Sequence, residues 1–277
     1  LTLGGLHGGH SGVDIHLGRA NANKLMFRFL NEAVRDYGAR LSSIDGGSLR
    51  NAIPREAFAI ITIPGDNVEA LWELVSDYQE MYRSEYKGIE HNINFTAEMT
   101  DMPATLIPEE IQDDLINAIE GCQNGVISML VDFPGTVESS TNLAIVKSSN
   151  EMIEIQILVR SSSESRKEAV CSSLESIFSL AGAKVEYSDG YGGWQPNIDS
   201  PILKIMQQAY LDLYGKKPEA KVMHAGLECG IIQESYPDMD MISIGPDLQH
   251  PHSPDERVSI PSVARTWDFI VTTLARI

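Results

Sequence analysis

The chain has 277 residues, of which 43% are hydrophobic and 22% charged, enough to bury a sizeable core in one large or two ordinary domains. No stretch approaches the roughly 18 uninterrupted apolar residues of a membrane span, so the composition predicts a soluble protein and no membrane partner. The formal net charge is -18, and no run of Lys or Arg interrupts the acidic balance. This charge argues against nucleic acid as a partner and is common among soluble cytoplasmic enzymes.

The cysteines indicate the cellular compartment. Cys122, Cys171 and Cys229 are far apart and form no CxxC pair, which argues against a disulfide framework and a cysteine zinc site. A reducing compartment is favoured, and we predict a cytoplasmic location.

The sequence begins at Leu1, inside an apparent strand and without a signal peptide. We therefore expect it to be a fragment whose N-terminal part is absent.

Four helices are predicted from apolar residues at helical spacing and from the residues at the helix ends. Asp66 is the expected N-cap of the second helix, and Glu69 three residues later completes a capping box. Ser200 followed by Pro201 starts the fourth helix. Glycines expected to end helices in left-handed caps are Gly38, Gly182 and Gly215.

Strands are predicted between these helices. Residues 57–63 form an apolar run with little room for solvent, and residues 152–160 alternate between apolar and polar positions. Shorter apolar runs at 222–223 and 241–244 are the last predicted strands. Each of them is followed by glycine within a few residues.

The order of elements predicts the domain organisation. Residues 1–100 are predicted as strand, helix, two strands, helix and strand, and residues 101–188 as helix, three strands, helix and strand. This similarity indicates a duplicated α+β unit with two ferredoxin-like βαββαβ-type halves. Residues 189–277 alternate between helix and strand, as in part of a parallel α/β sheet. Two strands are too few for a stable sheet, which again indicates missing sequence.

The first histidine cluster is His7-Gly8-Gly9-His10-Ser11-Gly12. Flanking glycines let the backbone approach a ligand and leave the imidazole accessible, so a histidine here could stabilise an oxyanion or bind metal. A glycine-rich turn with incidental histidines explains the local sequence equally well.

The second cluster contains His224 and Glu228, four residues apart after a predicted strand. Ligands of open α/β sheets bind at the carboxyl ends of strands, and the two side chains could share one face of a helical turn. A buried histidine with satisfied hydrogen bonds is the alternative interpretation.

The third cluster, His250-Pro251-His252 followed by Asp255 and Glu256, lies on a proline-braced loop. Imidazole is a normal zinc ligand, and nearby carboxylates could orient it. The position after a predicted strand favours a metal site over a solvated loop.

Two further positions could recognise a substrate. Asn51 lies on a tight glycine-preceded turn beside Arg50, where the two side chains suit a carboxylate or a carbonyl oxygen. Arg160 lies at the polar end of a predicted strand, where its guanidinium could bind a carboxylate. Surface arginines usually have no such specific role, so neither position carries a function alone.

Seven motifs together resemble one family: GGHSG, LRNAIPREAFA, LVRSS, GWQP, HAGLECG, MDMISIGP and PHSPDE. Their order and spacing are similar to those of bacterial aminoacyl-histidine (Xaa-His) dipeptidases, co-catalytic zinc peptidases related to carnosinases. The resemblance extends from Leu1 to Ile277 and rests on the motifs occurring together.

This resemblance implies a catalytic α/β domain interrupted by a large lid. Residues 1–188 would be the lid, a dimerisation-type domain, and residues 189–277 the C-terminal part of the catalytic domain. The implied function is hydrolysis of small Xaa-His dipeptides with two divalent metal ions, expected to be zinc, and a homodimer is possible.

The resemblance also implies roles for individual residues. The implied metal ligand is His252, and the implied catalytic residue is His10, which would polarise the scissile carbonyl. Asn51 and Arg160 would hold the substrate carbonyl and C-terminal carboxylate. His224 and Glu228 would line the same cleft.

The sequence departs from the family at the other metal ligands. The family's His-x-Asp motif, bridging Asp, catalytic Glu-Glu pair and further Asp are absent. The adjacent pair Glu109-Glu110 follows Pro108 at a predicted helix start, where acidic residues favour the helix dipole. We therefore expect the chain alone to be inactive, and it need not bind any metal ion. Alternatives are an aminoacylase or tripeptidase on the same scaffold, or an isolated lid that acts as a structural or dimerisation module.

Overall fold

The computed structural model describes residues 1–131, 133–149, 151–188, 194, 197, 199–221, 228–249 and 256–277. Helices and strands occur mixed along the chain, so the fold is of the α+β type. Among the described residues, no helix has both the length and the apolar character that crossing a membrane requires. The strands are β1 (Thr2–Gly4), β2 (Gly9–His10), β3 (Arg40–Gly46), β4 (Ala52–Ile53), β5 (Ala57–Thr62), β6 (Asn94–Thr96), β7 (Gly125–Met129), β8 (Val137–Ser148), β9 (Ile153–Ser161), β10 (Leu248–Gln249) and β11 (Arg257–Val258). The helices are α1 (Ala22–Tyr37), α2 (Val68–Glu85), α3 (Glu109–Gly121), α4 (Glu164–Leu180), α5 (Pro201–Tyr214), α6 (Glu228–Ser235) and α7 (Ile260–Leu274).

One antiparallel sheet joins both halves of residues 1–188. Its strand order is β6-β1-β5-β3-β8-β7, and β9 pairs with β8. The long strand β8 pairs with β9 along most of its length, with β7 near its start, and with β3 through Gly46 opposite Val146. Among the described residues 181–188 no strand follows α4, so the strand predicted to close the second half is absent there.

Helices α1 to α4 pack on the sheet and enclose one hydrophobic core. Its largest fully buried side chains include Phe27, Phe29, Phe95 and Tyr82. The prediction that residues 57–63 exclude solvent was wrong: Phe58 and Ile60 on β5 remain 44% and 40% exposed, whereas their neighbours Ala57 and Ala59 face the core. The helices therefore cover this strand on one face only.

Capping residues define both predicted ends of α5 and the predicted end of α1. Gly38 and Gly215 adopt left-handed conformations after α1 and α5, and the Ser200 side chain accepts the Leu203 N–H at the start of α5. The capping box at Asp66 was wrong. Asp66 lies in a 3-10 turn, Gly65–Asn67, and α2 begins after Asn67 without a side-chain cap, because this turn uses the first backbone donors.

The last third of the described chain has a small core of its own, formed by Met206, Ala209 and Phe269 between α5 and α7. Residues 241–244, predicted as a strand, form none. A strand requires a hydrogen-bonded neighbour, and no described segment pairs with these residues. The predicted strand at 222–223 lies outside the described residues.

Candidate functional site

The glycine-rich segment around His10 is held in an irregular conformation by its neighbours. Gly8 and Gly9 have φ values of 62° and 136°, which residues with a side chain rarely adopt. A Cβ on Gly9 would overlap the side chains of Arg19 and Asp14. The following strand β2 pairs with β4, with His10 opposite Ala52. This small ribbon fixes the backbone that carries the His10 imidazole.

The His10 ring has a defined hydrogen-bonding pattern on one side. Its Nδ1 atom accepts the backbone N–H groups of Gly12 at 3.1 Å and Val13 at 3.0 Å. Since Nδ1 acts as an acceptor, the proton of the neutral ring lies on Nε2. His10 can therefore present an N–H donor to a substrate oxygen.

Asp14 and Arg19 brace the same segment. The Asp14 carboxylate accepts the His10 backbone N–H at 2.9 Å and lies 3.3 Å from the Arg19 guanidinium. Arg19 also donates to the Gly8 carbonyl oxygen at 2.6 Å. Sequence reasoning did not identify either residue, because their contacts with Gly8 and His10 depend on the fold of the loop.

The backbone of Asn51 lies beside the segment that carries His10. Its carbonyl oxygen accepts the Ser11 N–H at 2.8 Å. The adjoining β4 is held by Asn142 on β8, whose Nδ2 donates to the Ala52 carbonyl oxygen at 2.7 Å. Asn142 was not identified from sequence; its amide forms this contact across 90 residues.

Arg160 reaches the same place from β9, where it pairs with Ser140 of β8. An ideal Cβ on Gly12 would lie 3.1 Å from His10 Cε1 and 3.4 Å from Arg160 Cζ. The imidazole and the guanidinium therefore flank one glycine. His10, Asn51 and Arg160 are all half-buried. Three segments therefore bring the His10 imidazole and the Arg160 guanidinium together, next to the backbone of Asn51, at a partly open surface.

The remaining predicted site residues are not gathered there by the described structure. Glu228 is exposed at the first position of α6. His224 and His252 lie outside the described residues. Glu109 and Glu110 occupy the first turn of α3, and Glu109 forms an ion pair with Arg40 at 3.3 Å, in agreement with a structural role for this acidic pair.

A two-metal centre does not fit the described residues by themselves. In this part of the chain, no group of three or more His, Cys, Asp or Glu side chains is arranged to hold a metal ion. A pocket of about 480 Å³ lies near the site, beside a 3-10 turn at Ile15–Leu17. Its lining includes Arg19, Asn21 and Tyr86 rather than His10, Asn51 or Arg160.

The chain is similar to known peptidases in sequence and in structure. Residues 1–90 match the family described as Peptidase dimerisation domain. The whole chain is 42% identical to the Cytosol non-specific dipeptidase of Escherichia coli (strain K12) and covers 57% of it. The crystal structure of an aminoacylhistidine dipeptidase from Vibrio alginolyticus matches with a TM-score of 0.88 and 43% identity, over 100% of this chain and 56% of that one.

These findings confirm the resemblance that the motifs predicted. The likeness to dipeptidases extends over the whole chain in sequence and in structure. The chain spans little more than half the length of each relative.

Proposed function

We propose that this chain is the lid and C-terminal catalytic segment of a metal-dependent dipeptidase that hydrolyses Xaa-His dipeptides in the cytoplasm. Residues 1–188 form the lid, in which the first half has the ferredoxin-like order βαββαβ and the second half lacks a closing strand among its described residues. Residues 189–277 belong to the catalytic α/β domain. The observation that carries the proposal is the meeting of His10, Asn51 and Arg160 in a chain similar throughout to two dipeptidases.

Each of the three side chains suits one part of a dipeptide. The His10 Nε2–H donates to the scissile carbonyl oxygen, and this bond strengthens as negative charge develops on the oxygen. The Arg160 guanidinium binds the C-terminal carboxylate with two parallel hydrogen bonds. The Asn51 amide holds a carbonyl oxygen of the substrate, and His224 and Glu228 line the cleft.

The metal chemistry depends on residues beyond those described. By resemblance, two divalent ions, expected to be zinc, supply an activated water molecule and a Lewis acid when bound. His252 is the ligand that this chain offers. One histidine cannot position two ions, so the chain alone is expected to show no turnover.

The surface of α7 supports the assignment of residues 189–277 to a larger domain. Five apolar side chains at helical spacing remain 46–81% exposed along this helix: Ile260, Val263, Trp267, Val271 and Leu274. Such a stripe normally packs against another element, and the rest of an α/β domain would cover it.

A chimeric enzyme tests the proposal. The matching region of the E. coli relative is replaced by this chain, and hydrolysis is measured with dipeptides that contain or lack a C-terminal His. We expect dipeptidase activity in the chimera and none in the 277-residue chain alone. A folded, metal-loaded chimera that cleaves only N-acyl amino acids or tripeptides would instead support an aminoacylase or a tripeptidase.

Substitution of Arg160 tests the carboxylate assignment in the same chimera. Arg160→Ala should raise KM roughly 10- to 100-fold with a smaller change in kcat, since it removes binding that substrate and transition state share. Arg166→Ala is the matched control, because the Arg166 side chain is 60% exposed and forms an ion pair with Glu138. Unchanged kinetics of Arg160→Ala would disprove the assignment.

A dimerisation module is the second candidate function, favoured by the match of residues 1–90 to the Peptidase dimerisation domain. Sedimentation of the 277-residue chain and of residues 1–188 distinguishes the two. A dimer that persists in residues 1–188 would support this role. A monomer in both would argue against it.

A further inference from the structure

Glu90 is a fully buried carboxylate that the proposed chemistry does not use. Its side chain has 0% exposure, and it lies in the turn between α2 and β6. Burying a charged group is unfavourable unless it is well hydrogen-bonded. Glu90 accepts three hydrogen bonds: from the His7 backbone N–H at 2.7 Å, from His7 Nδ1 at 2.9 Å and from the Ala20 N–H at 3.1 Å.

These bonds join the two ends of one loop. Residues 7–20, termed here the His10 loop, leave β1 and return at the start of α1. The Oε2 atom of Glu90 binds the first residue of the loop, and Oε1 binds the last. The carboxylate therefore closes a segment that contains His10 and Gly12.

Internal contacts connect this closure to His10. Gly8 follows His7, and its carbonyl oxygen is bound by Arg19, which adjoins Ala20. A Cβ on Gly8 would overlap the Arg55 side chain, so the backbone there has little room to shift. Asp14, paired with Arg19, accepts the His10 N–H. A movement of either loop end would therefore be transmitted to the His10 backbone.

We propose that Glu90 is a positioning residue that clamps both ends of the His10 loop and thereby sets the place of the His10 imidazole. The clamp is a property of this chain. Its consequence for catalysis rests on the proposed function, in which His10 contacts the scissile carbonyl.

A carboxylate is required because every partner is a donor. The backbone N–H groups of His7 and Ala20 can only donate, and His7 Nδ1 must carry a proton to bind the same oxygen. A glutamine at this position has one acceptor oxygen and one donor amide. In either orientation its amide would face a backbone N–H, and a buried donor would lose its partner.

Variants of the 277-residue chain test the clamp. Glu90→Gln keeps the size of the side chain and removes one acceptor. His7→Ala removes only the imidazole donor, at a side chain that is 44% exposed, so this variant is expected to fold. His7→Asn is the matched rescue, because its amide nitrogen can donate from nearly the position of Nδ1.

The readouts are amide hydrogen exchange at Gly12 and Val13, and the ¹⁵N chemical shifts of the His10 ring, which report whether Nδ1 still accepts their N–H groups. We expect Glu90→Gln and His7→Ala to accelerate exchange at these two amides by about tenfold or more, with exchange at Phe29 and Leu30 of α1 unchanged. His7→Asn should resemble the wild-type chain.

Several results would overturn the clamp. These are unchanged exchange in Glu90→Gln, equal acceleration at every amide, or failure of His7→Asn to restore what His7→Ala loses. If Glu90→Gln does not fold, the comparison of His7→Ala with His7→Asn decides alone. Faster amide exchange in the variants together with an inactive wild-type chimera would support the clamp and contradict the dipeptidase proposal. The two failures are therefore distinguishable.

Discussion

Because Gly12 has no side chain, His10 and Arg160 can approach each other in the candidate site. His10 and Arg160 approach the position that a Cβ on Gly12 would occupy, and the Gly12 N–H itself binds His10 Nδ1. Glycine is therefore needed at this position. Its backbone N–H binds the His10 imidazole, and the absence of a Cβ leaves room for the Arg160 guanidinium.

Gly12→Ala should displace the imidazole or the guanidinium by a few tenths of an ångström, because its Cβ would lie 3.1 Å from His10 Cε1. In the chimeric dipeptidase we expect kcat/KM to fall roughly tenfold or more, since catalysis is sensitive to small misplacements. Gly121→Ala is the control, because nothing lies within 4 Å of the corresponding Cβ. Equal kinetics in both variants would show that the crowding has no effect.

Asn21 connects the start of α1 to the second half of the sheet. Its side chain accepts the Lys24 N–H at 3.2 Å and donates to Asn124 Oδ1 at 3.1 Å and to the Leu143 carbonyl oxygen at 3.0 Å. The residue is only 3% exposed. One amide thus serves as a helix cap and as a buried bridge between segments.

Asn21→Ala should lower the free energy of unfolding by about 2–3 kcal/mol, because it removes a cap and leaves buried partners unsatisfied. Urea denaturation measures the change. Ser163→Ala is the comparison, since Ser163 is the N-cap of α4 without a side-chain cap bond. A loss as small as that of Ser163→Ala would mean that water replaces the Asn21 contacts.

At the scale of elements, two tyrosines on α2 make the free energy of unfolding depend on pH in the alkaline range. Burial, followed by the hydrogen bond to Glu32, raises the pKa of Tyr78 well above its usual range, and burial raises the pKa of Tyr82. The folded chain therefore retains phenolic protons that the unfolded chain releases. Stability from these groups is complete below about pH 10 and is lost as pH rises beyond it.

We expect the free energy of unfolding to fall above about pH 10 by as much as about 1.4 kcal/mol per pH unit for each of these tyrosines. Urea denaturation between pH 8 and about pH 11 measures this slope. Tyr78→Phe should make the slope shallower, because one titrating group is removed. Identical slopes in the variant and the wild-type chain would contradict the assignment.

Elements defined by local signals could be predicted from the sequence, and those defined by distant partners could not. Gly38 and Ser200 mark helix ends through backbone conformation and a hydrogen bond three residues away, which are local effects. The strand predicted at 241–244 failed because apolar composition does not provide a pairing partner. Phe58 is apolar and yet exposed, because the covering of a sheet face is decided by the placement of helices.

The same distinction applies to the candidate site. His10, Asn51 and Arg160 were chosen through their motifs, and the sheet and the β2–β4 ribbon bring them together. Glu90 had no comparable signal, because its role depends on contacts across 83 and 70 residues. Residues that position a loop through contacts distant in sequence can be found only from the folded structure.

At the scale of the whole molecule, the main hydrophobic core of residues 1–188 and the core between α5 and α7 differ greatly in size. The larger extends from Leu3 to Phe178, whereas Met206, Ala209 and Phe269 form the smaller. Stabilisation grows with the apolar area buried, at about 25 cal/mol per Å². The segment that contains α5 and α7 is therefore expected to be much less stable than residues 1–188.

We predict that residues 1–188 alone unfold in urea with the same midpoint as the main transition of the 277-residue chain. Amides of α5 and α7 should exchange faster than those of α1, because local opening is easiest where few apolar contacts are lost. In the chimeric dipeptidase, exchange in α7 should become slower, since the exposed stripe around Trp267 would gain a partner. A lower midpoint after removal of residues 189–277 would show instead that the two cores are coupled, and unchanged exchange in α7 would mean that the stripe stays uncovered in the larger protein.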